Sequence, residues 1–169
     1  MLIAPLPPPA VIAPALQNQV PLSFLGFRAG MPVAIAASFV KASGGTFSCK
    51  PVPGSQKQQQ CSGSVPFSGF DRPFDIRIVA VHDSVARLVL TTHALGGVAE
   101  GWASSLRLDF GPPIHEEQPG TQQSWRWSTR DQTILVVERK MGDMKLETSA
   151  TLTQESLLGS ADPERKPAP

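Results

Sequence analysis

Apolar and polar residues alternate with period two through Phe74 to Val81 (FDIRIVAV), which sets Phe74, Ile76, Ile78 and Ala80 on one face of a strand. The opposite face starts polar at Asp75 and Arg77 and turns apolar at Val79 and Val81. Asp83 and Ser84 are turn formers, so Val85 to Thr92 (VARLVLTT) is expected to run back as the second strand of a hairpin. The period then changes. Val98, Trp102, Leu106 and Phe110 recur four residues apart with Ala99 and Ala103 beside them, which is the stripe of an amphipathic helix. Gly111, Pro112 and Pro113 stop it.

The flanking segments carry the same two periods. Upstream, Val33, Ala36, Ala37 and Val40 form a helical face widened by Ile35 and Phe39, with Pro32 at the first helical position and Gly44-Gly45 at the end. Phe24, Leu25 and Phe27 anchor the chain ahead of it. Thr46 to Lys50 and Cys61 to Phe67 read as two short strands around a polar loop with Pro51, Pro53, Gly54 and three consecutive glutamines. Downstream, Ile114 to Gln123 reads as a polar loop. Gln123 to Ser128 is a strand with Trp125 and Trp127 on one face and Arg126 on the other. Thr129 to Asp131 turns, and the β-branched run Gln132 to Lys140 returns. After a turn at Met141-Gly142-Asp143, Met144, Leu146, Thr148, Ala150 and Leu152 alternate with Lys145, Glu147, Ser149 and Thr151, leaving one wet face as in an antiparallel sheet. The order is helix, hairpin, hairpin, helix, three-stranded meander, a hint of duplicated architecture. It predicts an α+β fold: an antiparallel sheet of about six to seven strands in hairpins, with two helices packed on one face.

At 169 residues the chain suits one domain, expected over 24–153. Residues 1–23 hold Pro5, Pro7, Pro8, Pro9, Pro14 and Pro21, which forbids a stable helix and suggests an extended arm. A second reading of that stretch is the end of a secretory signal, with Ala13-Pro14-Ala15 as a small-x-small site and cleavage before Leu16, although a basic leading region is missing. Residues 154–169 lack a core pattern and read as a disordered tail. Cys49 and Cys61 are the only cysteines and flank the polar loop. They are either two buried thiols or a disulfide closing the loop base, and the staple is the favoured reading. A staple implies an oxidising compartment, in agreement with export.

A net charge of +1 with no basic run excludes a broad electrostatic grip on nucleic acid or anionic lipid. No apolar stretch reaches the roughly 20 residues of a membrane-spanning helix, so no transmembrane segment is expected. His82 and His93 fall at opposite ends of the central hairpin, about 26 Å apart at the usual rise, and do not share a metal there. His115-Glu116-Glu117 is not H-E-x-x-H and follows prolines rather than sitting on a helix. There is no Gly-x-Ser-x-Gly, no phosphate loop and no calcium loop, and Ser104 and Ser105 are helix surface or packing residues. No catalytic residue, metal ligand or cofactor is expected. Trp125 and Trp127 admit two readings. One is core packing beneath the helix stripe. The other is an aromatic platform with Arg126 and nearby Ile114 for a peptide, glycan or partner protein.

Phe110-Gly111-Pro112-Pro113, followed by Trp125-Arg126-Trp127 in a strand, resembles small exported bacterial α+β domains of the SmpA/OmlA and β-lactamase-inhibitor-like type. Phe27 through Gly30-Met31-Pro32 is similar to their opening helix step, over a span of about 24–152. The chain departs from them in lacking a lipobox and in inserting two cysteine-bearing strands after the first helix. The resemblance implies a non-catalytic binding or assembly role outside the cytoplasm, for an unidentified protein or envelope component in the periplasm or medium. Two rivals stand beside it: a cytosolic accessory or regulatory domain with free thiols, and a hydrolase using Cys or His.

Overall fold

The computed structural model describes residues 20–94, 98–118, 120–142 and 145–159. The expected arm through residue 19, its cleavage before Leu16, residues 95–97, Pro119, Asp143, Met144 and the tail from residue 160 lie outside them. The chain opens with a small hairpin, β1 (Ser23–Phe24) and β2 (Phe27–Arg28), and continues into α1 (Val33–Ala42). Four strands follow: β3 (Thr46–Pro51), β4 (Gln58–Val65), β5 (Phe74–Val81) and β6 (Ser84–Ala94). Then come α2 (Val98–Phe110) and four more strands: β7 (His115–Glu117), β8 (Gln122–Ser128), β9 (Gln132–Met141) and β10 (Lys145–Gln154). A short α3 (Glu155–Gly159) closes the described chain.

Among the described residues the strands make an eight-stranded antiparallel sheet in the order β3-β4-β5-β6-β10-β9-β8-β7, besides the two-stranded β1-β2. The topology is a helix and a four-stranded meander, given twice. The last strands of the two meanders pair with each other, Leu88 opposite Leu152 and Leu90 opposite Ala150. The α+β, antiparallel expectation stands, with more strands than expected. The additions are short. His115–Glu117 has only three polar residues, too few to show a period, yet it pairs with Ser124 to Arg126. Gln58 to Gln60, expected in a loop, extend β4 against Val79 to Val81. Gln154 belongs to β10, and residues 155–159, expected in the tail, are helical.

The central hairpin turns one residue earlier than its composition suggests. His82 and Asp83 are the two turn residues, both with positive φ (50° and 60°), and Val81 pairs with Ser84. A two-residue turn of this hand matches the right-handed strand twist, and Asp tolerates the left-handed region. A register shift between Val79 and Ala80 then brings Arg87 opposite Val79. Consequently His82 is a turn residue, and His93 pairs with Glu147 of β10.

The buried core gathers strand and helix positions together. Ile76, Ile78, Leu88, Leu90, Trp125, Ile134, Val136, Ala150 and Leu152 share a single buried cluster with Val33, Ala36 and Val40 of α1 and Ala99, Trp102, Ala103 and Leu106 of α2. The predicted stripes of both helices are thereby accounted for, although Ile35 is 55% exposed and lies outside the seam. α1 rests against β3 and β4, and α2 against β9 and β10. Phe24, Phe27 and Phe74 extend the cluster, with Phe24 and Phe74 both stacked at an angle on Trp102, 5.1 and 5.5 Å between centroids. Pro32 caps α1 from extended backbone (ψ 137°) rather than occupying its first turn, since the chain is still pairing with Ser84 there. Gly63 is required by close approach: a Cβ on it would lie 1.9 Å from the carbonyl oxygen of Thr46.

Polar side chains fasten the far end. The Gln132 amide donates to Ala29 O and to Gln154 Oε1 while its own oxygen accepts from Leu22 N–H, at 3.1, 2.9 and 2.8 Å. The segment before α1 is thus tied to β9 and β10. Asp131 accepts from the Ser156 hydroxyl (2.7 Å) and backbone N–H (2.8 Å) and from the Gln154 amide, capping α3. These donors, the Ser156 hydroxyl first and against the penalty of burial, hold its carboxyl below the ordinary 3.8. A depressed carboxyl contributes stability above its unfolded value and loses it as pH falls through the folded one. Asp131→Ala is therefore expected to lower stability at neutral pH by ~0.5 kcal/mol, the low end for lost caps because the group is open to solvent. In paired urea titrations the deficit should vanish as pH falls below about 3.8.

Candidate binding face

Because strand side chains alternate, every residue between those buried positions points to the other side of its strand. None of Val79, Val89, Leu135 or Val137 belongs to the buried cluster shared with the helices. The register carries this second face across all eight strands. One row runs Ser48, Ser62, Arg77, Val89, Thr151, Leu135, Arg126, His115. A neighbouring row runs Lys50, Gln60, Val79, Arg87, Thr153, Thr133, Ser128. On the other side lies Ser64, Asp75, Thr91, Ser149, Val137, Ser124, Glu117. The centre is half-buried Val and Leu among Ser and Thr. Arg77 stands directly beside Val89, Arg87 beside Val79, and Arg126 beside Leu135.

The half of this face over β3 to β6 is hollowed into a depression of about 510 Å³, bordered by Ser48, Lys50, Gln60, Ser62, Arg77, Val79, Arg87 and Val89. A bulge such as that at Val79/Ala80 strengthens local twist and bends the strand, which is how a sheet surface becomes concave. A second depression of about 700 Å³ lies at Phe70, Arg72, His93, Met141 and Lys145.

Cys49 and Cys61 are directly opposed on β3 and β4 and form a disulfide with an S–S distance of 2.03 Å. The chain holds no other cysteine, so the pair leaves no thiol to act as a nucleophile. The bond pins edge strand β3, whose side chains are nearly all exposed, to the sheet. It thereby keeps Ser48 and Lys50 at the rim of the hollow.

Trp125 and Trp127 share a strand face as expected, and both are buried, at 0% and 2% exposed. Arg126 and Ile114 (66% exposed) are open to solvent, and neither indole is. The sequence left packing and platform open, and only the register decides which side of the sheet the indoles occupy. Trp127 Nε1 donates to Gly111 O at 2.9 Å, joining β8 to the end of α2. Trp125 Nε1 is buried without a hydrogen-bond partner among the described residues.

The three histidines are dispersed: His82 in a turn, His93 beside Glu147, and His115 with Nε2 2.8 Å from Glu117 Oε1. Glu116 bonds Arg107, which also reaches Glu100, and so ties β7 to α2. Among the described residues no three of His, Cys, Asp and Glu gather as metal ligands. The residues that sequence reasoning missed are Lys50, Arg77, Arg87, Val79 and Val89. They are far apart in the chain, and only strand pairing assembles them.

The two indoles make unequal demands. Trp127→Phe strands the Gly111 carbonyl and loses buried area, whereas Trp125→Phe removes a buried donor that has no acceptor. Trp127→Phe should be the more destabilising, by about 1 kcal/mol or more, in urea unfolding at constant m. Equal losses would show that the Gly111 bond contributes nothing.

Comparison with protein-family models, with curated proteins and with solved structures finds no match to this chain, and its functional reading rests on the geometry of this face.

Proposed function

We propose that this protein is a non-catalytic binding domain that works outside the cytoplasm and docks a protein partner on the face of the eight-stranded sheet opposite its helices. Both helices cover one face in this reading, which leaves the second uncovered. The observation that carries it is the composition of that uncovered face. A sheet face that merely meets water needs only polar residues, whereas here Val79, Val89, Leu135 and Val137 lie across its middle, with Val137 9% exposed and yet outside the buried cluster that includes the helices. An apolar centre flanked by arginines is the composition of protein-binding surfaces, where Arg is enriched and Lys and Glu are depleted. Antiparallel sheets provide such a rigid platform because their backbone hydrogen bonds hold the side-chain rows at fixed spacing.

The site on the protein moves accordingly from the buried tryptophans to Leu135, Val89 and their arginines, with Arg126 kept and Ile114 beyond the rim. The disulfide supports an oxidising compartment. Among the described residues no helix is long and apolar enough to cross a membrane. The resemblance to exported α+β binding domains points the same way, and a partner in the cell envelope or the surrounding medium fits both.

Two measurements test the proposal. Intact mass of the protein from the cells that make it, alkylated before reduction, should show neither cysteine labelled; two labelled thiols would return the chain to a cytosolic accessory role. A photo-crosslinking residue at Thr151 should yield a discrete adduct with one protein, lost on Leu135→Asp, while the same residue at Ile35 on α1 yields none. Adducts of equal strength at both positions, or at neither, would overturn docking on this face.

A further inference from the structure

Among the described residues, the cations that border the hollow over β3 to β6 have no partners of their own. Lys50, Arg77 and Arg87 make no ion pair or hydrogen bond there, although the same molecule satisfies Arg107 with two glutamates and Arg139 with Gln122. No Asp or Glu lines the hollow. Arg77 and Arg87 sit on adjacent strands in successive rows, diagonal neighbours at roughly 7 Å, close enough for both guanidinium groups to reach one anion. Between them lie Val79 and Val89, an apolar floor, and the Ser48 and Ser62 hydroxyls and the Gln60 amide supply further donors at the rim. Like charges placed this close without a counter-ion repel each other, and an incoming anion removes the repulsion and gains charge-assisted, bidentate hydrogen bonds.

Resting on the docking role of this face, we propose that the hollow receives an acidic side chain of the partner protein, with a carboxylate held between Arg77 and Arg87. Lys50 supplies a third positive charge from edge strand β3, where the Cys49–Cys61 bond holds it in register. Two features select a carboxylate on a peptide over a free inorganic anion. A hollow of about 510 Å³ is far larger than a phosphate. Its floor is also Val79 and Val89, which a glutamate's methylenes cover and a phosphate leaves bare. The surface selects against partners with a basic contact, because three unpaired cations would face them at short range.

The test uses the full chain with its disulfide intact and a capped hexaglutamate peptide as probe, with hexaglutamine as control, read by calorimetry and by amide chemical-shift changes. Hexaglutamate should bind, hexaglutamine should not, and the shifts should centre on Ser48, Gln60, Ser62, Arg77 and Arg87. Arg77→Gln with Arg87→Gln should weaken the peptide at least about tenfold, while Arg130→Gln with Arg139→Gln, the same loss of charge away from the hollow, should leave it within about twofold. Thermal melts of both pairs should match the parent, since all four side chains are exposed. If the Arg77/Arg87 pair melts early, Lys50→Gln alone, on the edge strand, takes its place in the comparison. Equal weakening by both pairs, absence of peptide binding, or binding of inorganic phosphate at the same residues as tightly as the peptide would each overturn the inference. So would recruitment to phosphatidylglycerol vesicles through Arg77 and Arg87 without peptide binding. The Thr151 crosslink is independent of these outcomes: an adduct that survives Arg77→Gln with Arg87→Gln leaves the docking face standing and removes only the carboxylate.

Discussion

The pairing of β6 with β10 is the contact on which the rest of this molecule depends. It runs from Arg87–Thr153 to Ala94–Leu146 and is the only strand pairing between the two helix-plus-meander halves among the described residues. Its inward pairs, Leu88–Leu152 and Leu90–Ala150, are fully buried and connect the α1 side of the core to the α2 side. Its outward pairs, Val89–Thr151 and Thr91–Ser149, are the middle of the candidate binding face. One ladder therefore fixes both the continuity of the core and the continuity of the surface. A slip of one residue would exchange the two faces and place leucines in water.

Two parts of the sheet are secured by different chemistry. At the start of β9 and the end of β10, in the sheet interior, two glutamines and Asp131 bond the chain ahead of α1 and the start of α3, contacts that are directional and fully polar. At the β3 edge, where side chains are exposed and burial supplies little, a disulfide holds the strand instead. Gly63 and Gly45 let the chain leave α1 and cross close to β4, since a side chain at either would strike backbone oxygen at 1.9 or 2.2 Å. The hollow lies beside that covalent staple, so its rim cannot drift as a free edge strand would.

The proposed docking face draws on charges at Arg77 and Arg87 that stand on adjacent strands. A net charge of +1 conceals this arrangement, because acids elsewhere, such as Glu100 and Glu116 at Arg107, offset cations left unpaired on the sheet. Total charge sets solubility; the local placement of charge sets what can bind.

Most of the fold was legible in the chain itself. The period-two run at Phe74 to Val81 and the period-four stripe at Val98 to Phe110 are local signals, and both elements form with those bounds. The shared face of Trp125 and Trp127 was likewise visible, because alternation within one strand is a local property. What the chain alone left open was everything that needs two strands at once. The turn fell at His82-Asp83 because strand twist favours that pairing, and three polar residues at His115–Glu117 became a strand only because β8 offered an edge. Whether the indoles faced a partner or the core, and that Lys50, Arg77 and Arg87 converge, was decided by register. Sequence spacing specifies which side of its own strand a residue takes, but only the tertiary pairing of strands decides which residues become neighbours.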